Sequence, residues 1–321
     1  MRRRTFLFSA LASGLAVISA RAQTAWPVRT ARFIVPFAAG SALDVPTRMI
    51  ADRLVAELGA TFVIENHSGA GGAIGVQLVV QAEPDGGTFL VTSSSVASLP
   101  ALRPNLGFDP KHDLLPVSMI CDVPSALLVR ADSRLTSVPQ LIAEARAKPG
   151  RLTYGSGGVG SSNHLAGASF ATLAGVELLH VPYRGTSAVL NGLYGGDIDL
   201  MFAPTLDVLG LVKQGALRAL AVTMPERVPA MPEVPAIAEF VPGYVVSNWF
   251  AIFAPAKLSL DLRARLVKAL ALMRDWPELQ ARFAAGAAIA RLDGPEPLTK
   301  QLTEDTTRWA ALIKKLGIKA E

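Results

Sequence analysis

The densest collection of chemistry-bearing residues lies at 153–167, which reads TYGSGGVGSSNHLAG. Gly155, Gly157 and Gly160 fall at the spacing G-x-G-x-x-G, with Ser156, Ser161, Ser162 and His164 beside them. Residues of these types serve three chemistries. They can cradle a pyrophosphate, activate a serine nucleophile, or aim backbone N–H groups at an anion.

The first two lack their partners. A dinucleotide site needs an acidic residue at the end of the next strand, about 20 residues on. The candidate, Glu177, begins that strand, which ends in His180, Pro182 and Tyr183. No glycine-rich loop is followed by G-K-[ST], so a P-loop is also absent. For hydrolysis there is no G-x-S-x-G elbow. The four histidines are His67, His112, His164 and His180, and none has an acid placed to orient it. A hydrolase built on Ser161 and His164 stays open as an alternative. The plainer reading of His164 is a ring packed on the first turn of its own helix. Without H-x-x-x-H or C-x-x-C spacing no metal is expected, and no cofactor either.

Anion capture by backbone fits better. A Gly/Ser-rich loop feeding a helix presents unpaired N–H groups at the positive end of the helix dipole. The sequence does this at 36–44 (PFAAGSALD), 66–75 (NHSGAGGAIG) and 155–162 (GSGGVGSS). A single such loop reads as a tight strand-to-helix turn that binds nothing. Two in different lobes make a shared anion the better reading. Hydrogen bonds to a charged group contribute roughly 1.5–3 kcal/mol each. About four to six of them reach the ~8 kcal/mol of micromolar affinity after ordering costs. Pro46 is tolerated only in a first helical turn, so a helix begins at Asp44, read as an N-cap with Arg48 as its i+4 ion-pair partner. Thr92, Ser93 and Ser94 end a strand where hydroxyls can add contacts, and Arg184 follows another strand within reach of a carboxylate.

These loops need elements to carry them. From Arg32 short β-rich runs alternate with helical runs: a strand RFIVPF, a helix from Asp44 to Leu58, a strand TFVIEN, a helix to about Ala82 and a strand TFLVTSS. A long β segment spans LLPVSMI and ALLVRA around 122–124. The series restarts with helices at 138–148, 162–174 and 187–195, and strands at RLTYGS, ELLHVPY, DIDLMFA and LRALAVT. A proline-punctuated loop at 224–242 precedes the strand VVSNWFAIFAP, and 259–316 is mostly helical. Alternation of this kind predicts parallel βαβ units covered on both faces. Two α/β lobes follow, with crossings near Pro124 and Ser247 and hence a hinge. The expected boundaries are 23–125 plus 247–321 for the first lobe and 126–246 for the second.

Composition narrows the partners. The N-terminus, MRRRTFLFSALASGLAVISARAQ, has a basic start, an apolar stretch and an A-x-A site before Gln23. It reads as a secretory signal over residues 1–22, with a twin-arginine pattern at Arg3-Arg4, and places the mature chain in the periplasm. Four of the 31 Lys+Arg (Arg2, Arg3, Arg4, Arg21) leave with it, so 31 − 4 = 27 basic residues face 26 acidic ones. That near-neutral balance gives no basic surface for nucleic acid. The one cysteine, Cys121, makes no internal disulfide and reads as buried and inert.

At these residues the chain resembles the tripartite tricarboxylate transporter substrate-binding proteins, the Bug or TctC-like family. The resemblance rests on PFxxGGxxDxxAR at 36–48, VENxxGAGGxxG at 64–75, APDGYTLL at 83–90 and SVxELIAxAxAxPGxLxYGSxGxGSxxHLAG at 137–167. It extends to HVPYxG at 180–185 and the segment 249–255. It implies a two-lobed periplasmic binding protein of the type II-like, Venus-flytrap kind, monomeric when mature. Such a protein closes on a small organic acid (a di-, tri- or aromatic carboxylate, or an amino acid) and hands it to membrane permease subunits. A sensory adaptor with the same cleft is the neighbouring alternative. Carried onto this chain, the first-lobe contacts are Phe37, Ala38, Gly40, Ser41, Asp44, Thr92, Ser93 and Ser94. Those of the second lobe are Ser156, Gly160, Ser161, Ser162, His164, Tyr183, Arg184 and Gly185. Ser41 stands where the family has a second glycine, Thr47 where it has alanine, and Gly87 where it has tyrosine. Ser41 adds a hydroxyl and a Cβ where an anion would approach.

Overall fold

The computed structural model describes residues 26–318; the expected export signal and its cleavage site before Gln23 lie outside them. The strands are β1 (Thr30–Val35), β2 (Thr61–Asn66), β3 (Thr88–Ser93), β4 (Leu114–Val123), β5 (Ser125–Arg130), β6 (Thr153–Ser156), β7 (Leu179–Pro182), β8 (Leu200–Pro204), β9 (Leu217–Val222), β10 (Asn248–Pro255) and β11 (Ile289–Ala290). The helices are α1 (Asp44–Leu58), α2 (Ala73–Val80), α3 (Leu99–Leu102), α4 (Pro110–Asp113), α5 (Val138–Ala147), α6 (Ser162–Ala174), α7 (Thr186–Gly195), α8 (Thr205–Lys213), α9 (Leu260–Ala271), α10 (Pro277–Ala285) and α11 (Pro295–Leu316).

Two sheets divide the strands, one per lobe. The first runs β11-β4-β10-β3-β1-β2 and the second β7-β6-β8-β5-β9. The long β segment expected around 122–124 is two strands, and they lie in different sheets. Pro124 separates them, having no N–H to continue a ladder. Neither sheet is the all-parallel arrangement that the alternation predicts. β10 runs antiparallel to β3 and β4, and β5 antiparallel to β8 and β9. Both are strands that enter a sheet from the seam, so each runs against its neighbours. All eight residues of β10 are buried.

That topology aims the loops. β1, β2, β3 and β4 share one direction and end at the seam where the chain crosses; so do β6, β7, β8 and β9 on the other side. Ligands of open α/β sheets bind beyond such carboxyl ends. The crossings run side by side. Thr223 N donates to Ser125 O (2.8 Å), Ser125 N to Thr223 Oγ1 (3.2 Å), and Val246 N to Thr223 O (3.3 Å).

Helix α8 was not expected from the sequence, which reads there as a link between two strands. TLDVLGLVK carries β-branched residues and Gly210, a weak helix former whose apolar face is stabilised by packing on β8 and β9. The C-terminal α11 lies on the first lobe, where the indole of Trp249 donates to Asp305 Oδ2 at 2.7 Å.

Candidate functional site

The loop after β1 turns on Gly40 (φ +77°), whose left-handed backbone is open to glycine without strain. Asp44 is not the N-cap: it is the first residue of α1, and Leu43 occupies the cap position without a side-chain bond. The Asp44 carboxylate instead reaches back to the loop. It accepts from Gly40 N at 3.0 Å, Arg48 Nε at 2.9 Å, Arg48 Nη2 at 3.1 Å and Asn66 Nδ2 at 3.0 Å. Asn66 Nδ2 also donates to Phe37 O (3.0 Å). Burial alone would raise this carboxyl, but bonds from Arg48, Gly40 and Asn66 outweigh it and hold it below its ordinary range. Ala38 and Gly40 are exposed, Phe37 is half-buried against the first-lobe core. Ser41 N donates to Ala38 O (3.2 Å), while Ser41 Oγ is buried with no hydrogen-bond partner among the described residues.

The loop after β6 is fixed without charges. Ser156 Oγ meets His180 Nε2 at 2.7 Å and donates to Gly158 O at 3.0 Å. Ser161 caps α6: its hydroxyl accepts from His164 N (3.3 Å) and donates to Gly158 O (2.8 Å). Gly160 N donates to His164 Nδ1 at 3.0 Å, so that nitrogen carries no proton. The rings of His164 and His180 stack with centroids 3.9 Å apart. Burial, with each ring disfavouring charge on its neighbour in the case of His164, pushes them down to about 3 (His164) and about 4 (His180). Both are therefore neutral structural groups, as the local reading of His164 expects. The same bonds speak against Ser161 and His164 as a nucleophile and base, because the hydroxyl and Nδ1 are both committed to the backbone of their own loop.

Between the loops stands the turn that follows β3, residues 94–98. Thr92 and Ser93 are buried at the end of the strand; Ser93 Oγ lies 2.9 Å from Ser95 Oγ. Ser94 Oγ donates to Asn248 Oδ1 (2.7 Å), at the second crossing. Ser98 Oγ donates to Ser95 O (2.8 Å) and reaches the second lobe at Gly160 O (3.3 Å). Gly160 has φ +81°, and a Cβ there would stand 2.1 Å from Leu102 Cδ1. The two lobes thus touch where their glycine-rich loops meet. The third glycine-rich loop also borders this seam, Gly71 lying near Leu99 and the carbonyl of Val159.

The other candidates sit around these. Ser162 Oγ donates to Asn163 Oδ1 (3.2 Å). Gly185 (φ +91°) lies against Gly157, and Arg184 beside it is exposed. The Tyr183 ring lies over Gly155 and Gly192, where its hydroxyl leaves no room for a Cβ, so it packs into the second lobe. Sequence reasoning missed Ser98, Asn248 and Asp207. The first two are polar residues in apolar runs, a signal that was available; Asp207 belongs to the unexpected α8. Among the described residues no group of three or more His, Cys, Asp or Glu is placed to hold a metal.

Two mixed α/β sheets joined by paired crossings, with strand ends and helix starts converging on the seam, define a two-lobed binding-protein fold. The family model for the tripartite tricarboxylate transporter family receptor (TctC) matches residues 47–318, and the chain belongs to that family. Protein BugT of Bordetella pertussis (strain Tohama I) is 32% identical, over 98% of this chain and 96% of its own. The structure of the periplasmic binding protein BugD is similar with a TM-score of 0.84 and 31% identity, covering 92% of this chain and 100% of that one. R. palustris Rpa4515, solved with adipate, gives a TM-score of 0.85 at 32% identity with the same coverage.

Proposed function

We propose that this protein captures a small organic acid in the periplasm, holding it between the two lobes, and delivers it to a membrane permease of the tripartite tricarboxylate type. The observation that carries the reading is the meeting of two glycine-rich strand-to-helix loops, one from each lobe, at a single seam. An acid there would face the starts of α1 and α6 together, with the hydroxyls of 93–98 alongside. The unpartnered Ser41 hydroxyl supports a contact from the first loop. The adipate in the Rpa4515 structure supports a dicarboxylate as the first acid to try. In this reading the first lobe is 23–125 with 247–321 and the second 126–246. The paired crossings act as the hinge, and closure is the signal the permease reads.

A thermal-shift screen of the mature chain from Gln23 tests it, against mono-, di-, tri- and aromatic carboxylates with NAD as a control. An acid at 100 times its dissociation constant adds about 2.7 kcal/mol and raises the melting temperature. A shift with NAD and with no acid would sink the proposal.

A further inference from the structure

The start of α8 is the part of the second lobe set deepest into the first. Thr205 bonds the Pro124 carbonyl twice, through its amide at 2.8 Å and its hydroxyl at 3.0 Å. Leu206 is buried in the first-lobe core with Ala42, Cys121 and Phe283. Gly286, which ends α10, admits no side chain there: a Cβ would stand 2.4 Å from Leu206 Cδ2 and 2.8 Å from its Cα.

Asp207 follows in the same turn and is half-buried. Burial pushes its carboxyl up to about 6, while the Arg282 guanidinium of α10 and the Ala42 amide at the foot of α1 pull the other way. Nearby charges are otherwise engaged. On α1, Asp44 pairs with Arg48; on β4, Asp122 pairs with Arg291; on β9, Arg218 donates to the carbonyls of Ser133 and Leu135. β8 has no titratable residue, and Lys213 lies at the far end of α8.

We propose that Asp207 is a proton-operated contact between the lobes, which lets the seam close when its carboxyl is neutral and loosens it when ionised. The sign follows from where the carboxyl is dry. Against the first lobe it is shielded from water, and its proton is held more tightly than in an opened, solvated seam, where the ordinary value near 3.8 applies. Closure is therefore favoured as pH falls through about 6, and that advantage is lost as pH rises through it. The two-unit difference bounds the change in the closure equilibrium at about 100-fold. Under the acid-capture reading, on which this consequence rests, ligand binding takes up a proton and weakens above that pH.

The test uses no ligand, so its failure is separate from failure of the capture reading. Spin labels at Leu179→Cys and Leu260→Cys, both exposed and in different lobes, report the interlobe distance. Carbon NMR of the aspartate carboxyls, assigned with Asp207→Asn, reports the titration. The expected result is an Asp207 midpoint near 6, a distance that shortens with the same midpoint, and in Asp207→Asn a short distance at every pH. The variant also removes Asp207 from any contribution of the His164–His180 pair. Should Asp207→Asn not fold, Arg282→Gln retains the carboxyl and is expected to move the midpoint higher. An Asp207 carboxyl titrating near 4, a distance whose pH dependence survives in Asp207→Asn, or a midpoint unmoved in Arg282→Gln would each overturn the proposal.

Discussion

The two loops that meet at the seam have the same plan, strand to glycine-rich turn to helix, and are held by opposite means. The loop after β1 is fixed by an ionic knot, Asp44 with Arg48, Asn66 and Gly40 N, and its tip at 38–40 is exposed. The loop after β6 is fixed by neutral groups, the stacked His164 and His180 with Ser156 and Ser161, and it is pressed against the other lobe at Gly160. A carboxylate can be buried beneath the first because the guanidinium and two amide donors there compensate for lost water. Neutral imidazoles suit the second, since a permanent charge under it would need a partner of its own. The first loop is thus built to stay put while exposed, and the second to be covered.

The largest difference between them is steric. Gly160→Ala is expected to cost about 2–4 kcal/mol, combining a left-handed backbone with a Cβ driven into Leu102. Gly40→Ala has nothing within 4 Å of the new atom and is expected to cost only about 1 kcal/mol. Urea unfolding of both variants checks this, and equal costs would break the comparison. Asp44→Ala comes next. It leaves the Arg48 and Asn66 donors without their shared acceptor, at an expected ~2–3 kcal/mol by the same measurement.

Acid then separates the two loops by window. The histidines are held neutral, with folded values of about 3 and about 4 below the ordinary 6.5, so their contribution is complete above 6.5. It declines as pH falls from there, because the unfolded chain takes up protons that the folded one refuses. Asp44 is depressed, so its contribution is present above the ordinary carboxylate value and is lost only as pH falls below it. Hydrogen exchange at pH 7.5, 5.5 and 4 is expected to show loss of protection first at 156–164 and later at 37–44. The smallest effect is Ser161→Ala, a lost cap worth about 1 kcal/mol. Ligand capture should survive it, weakened; loss of a turnover reaction would instead favour the hydrolase alternative.

Much of this comparison was legible in the residues themselves. Pro46 located the start of α1, the A-G-S and S-G-G-V-G-S-S stretches located both turns, and Arg48 at i+4 located the ion pair. The error at Asp44 was one of direction, since spacing says that a carboxylate opens a helix but not that it folds back onto Gly40 N. The parallel sheets expected from alternation failed at β5 and β10, whose direction depends on how the chain re-enters across the seam. Helix α8 was hidden because TLDVLGLVK is held helical by its lobe and not by its own propensity. With it went Asp207, whose surroundings are contributed by residues 42 and 282 and so leave no local trace.

Small-angle scattering of the chain from Gln23 to Glu321, alone and with each of a panel of carboxylates beginning with adipate, tests the central claim most directly. The account predicts that at least one acid reduces the radius of gyration, as the lobes close over an anion held by both loops. A radius unchanged by every acid in the panel, including any acid that raises the melting temperature, would contradict it.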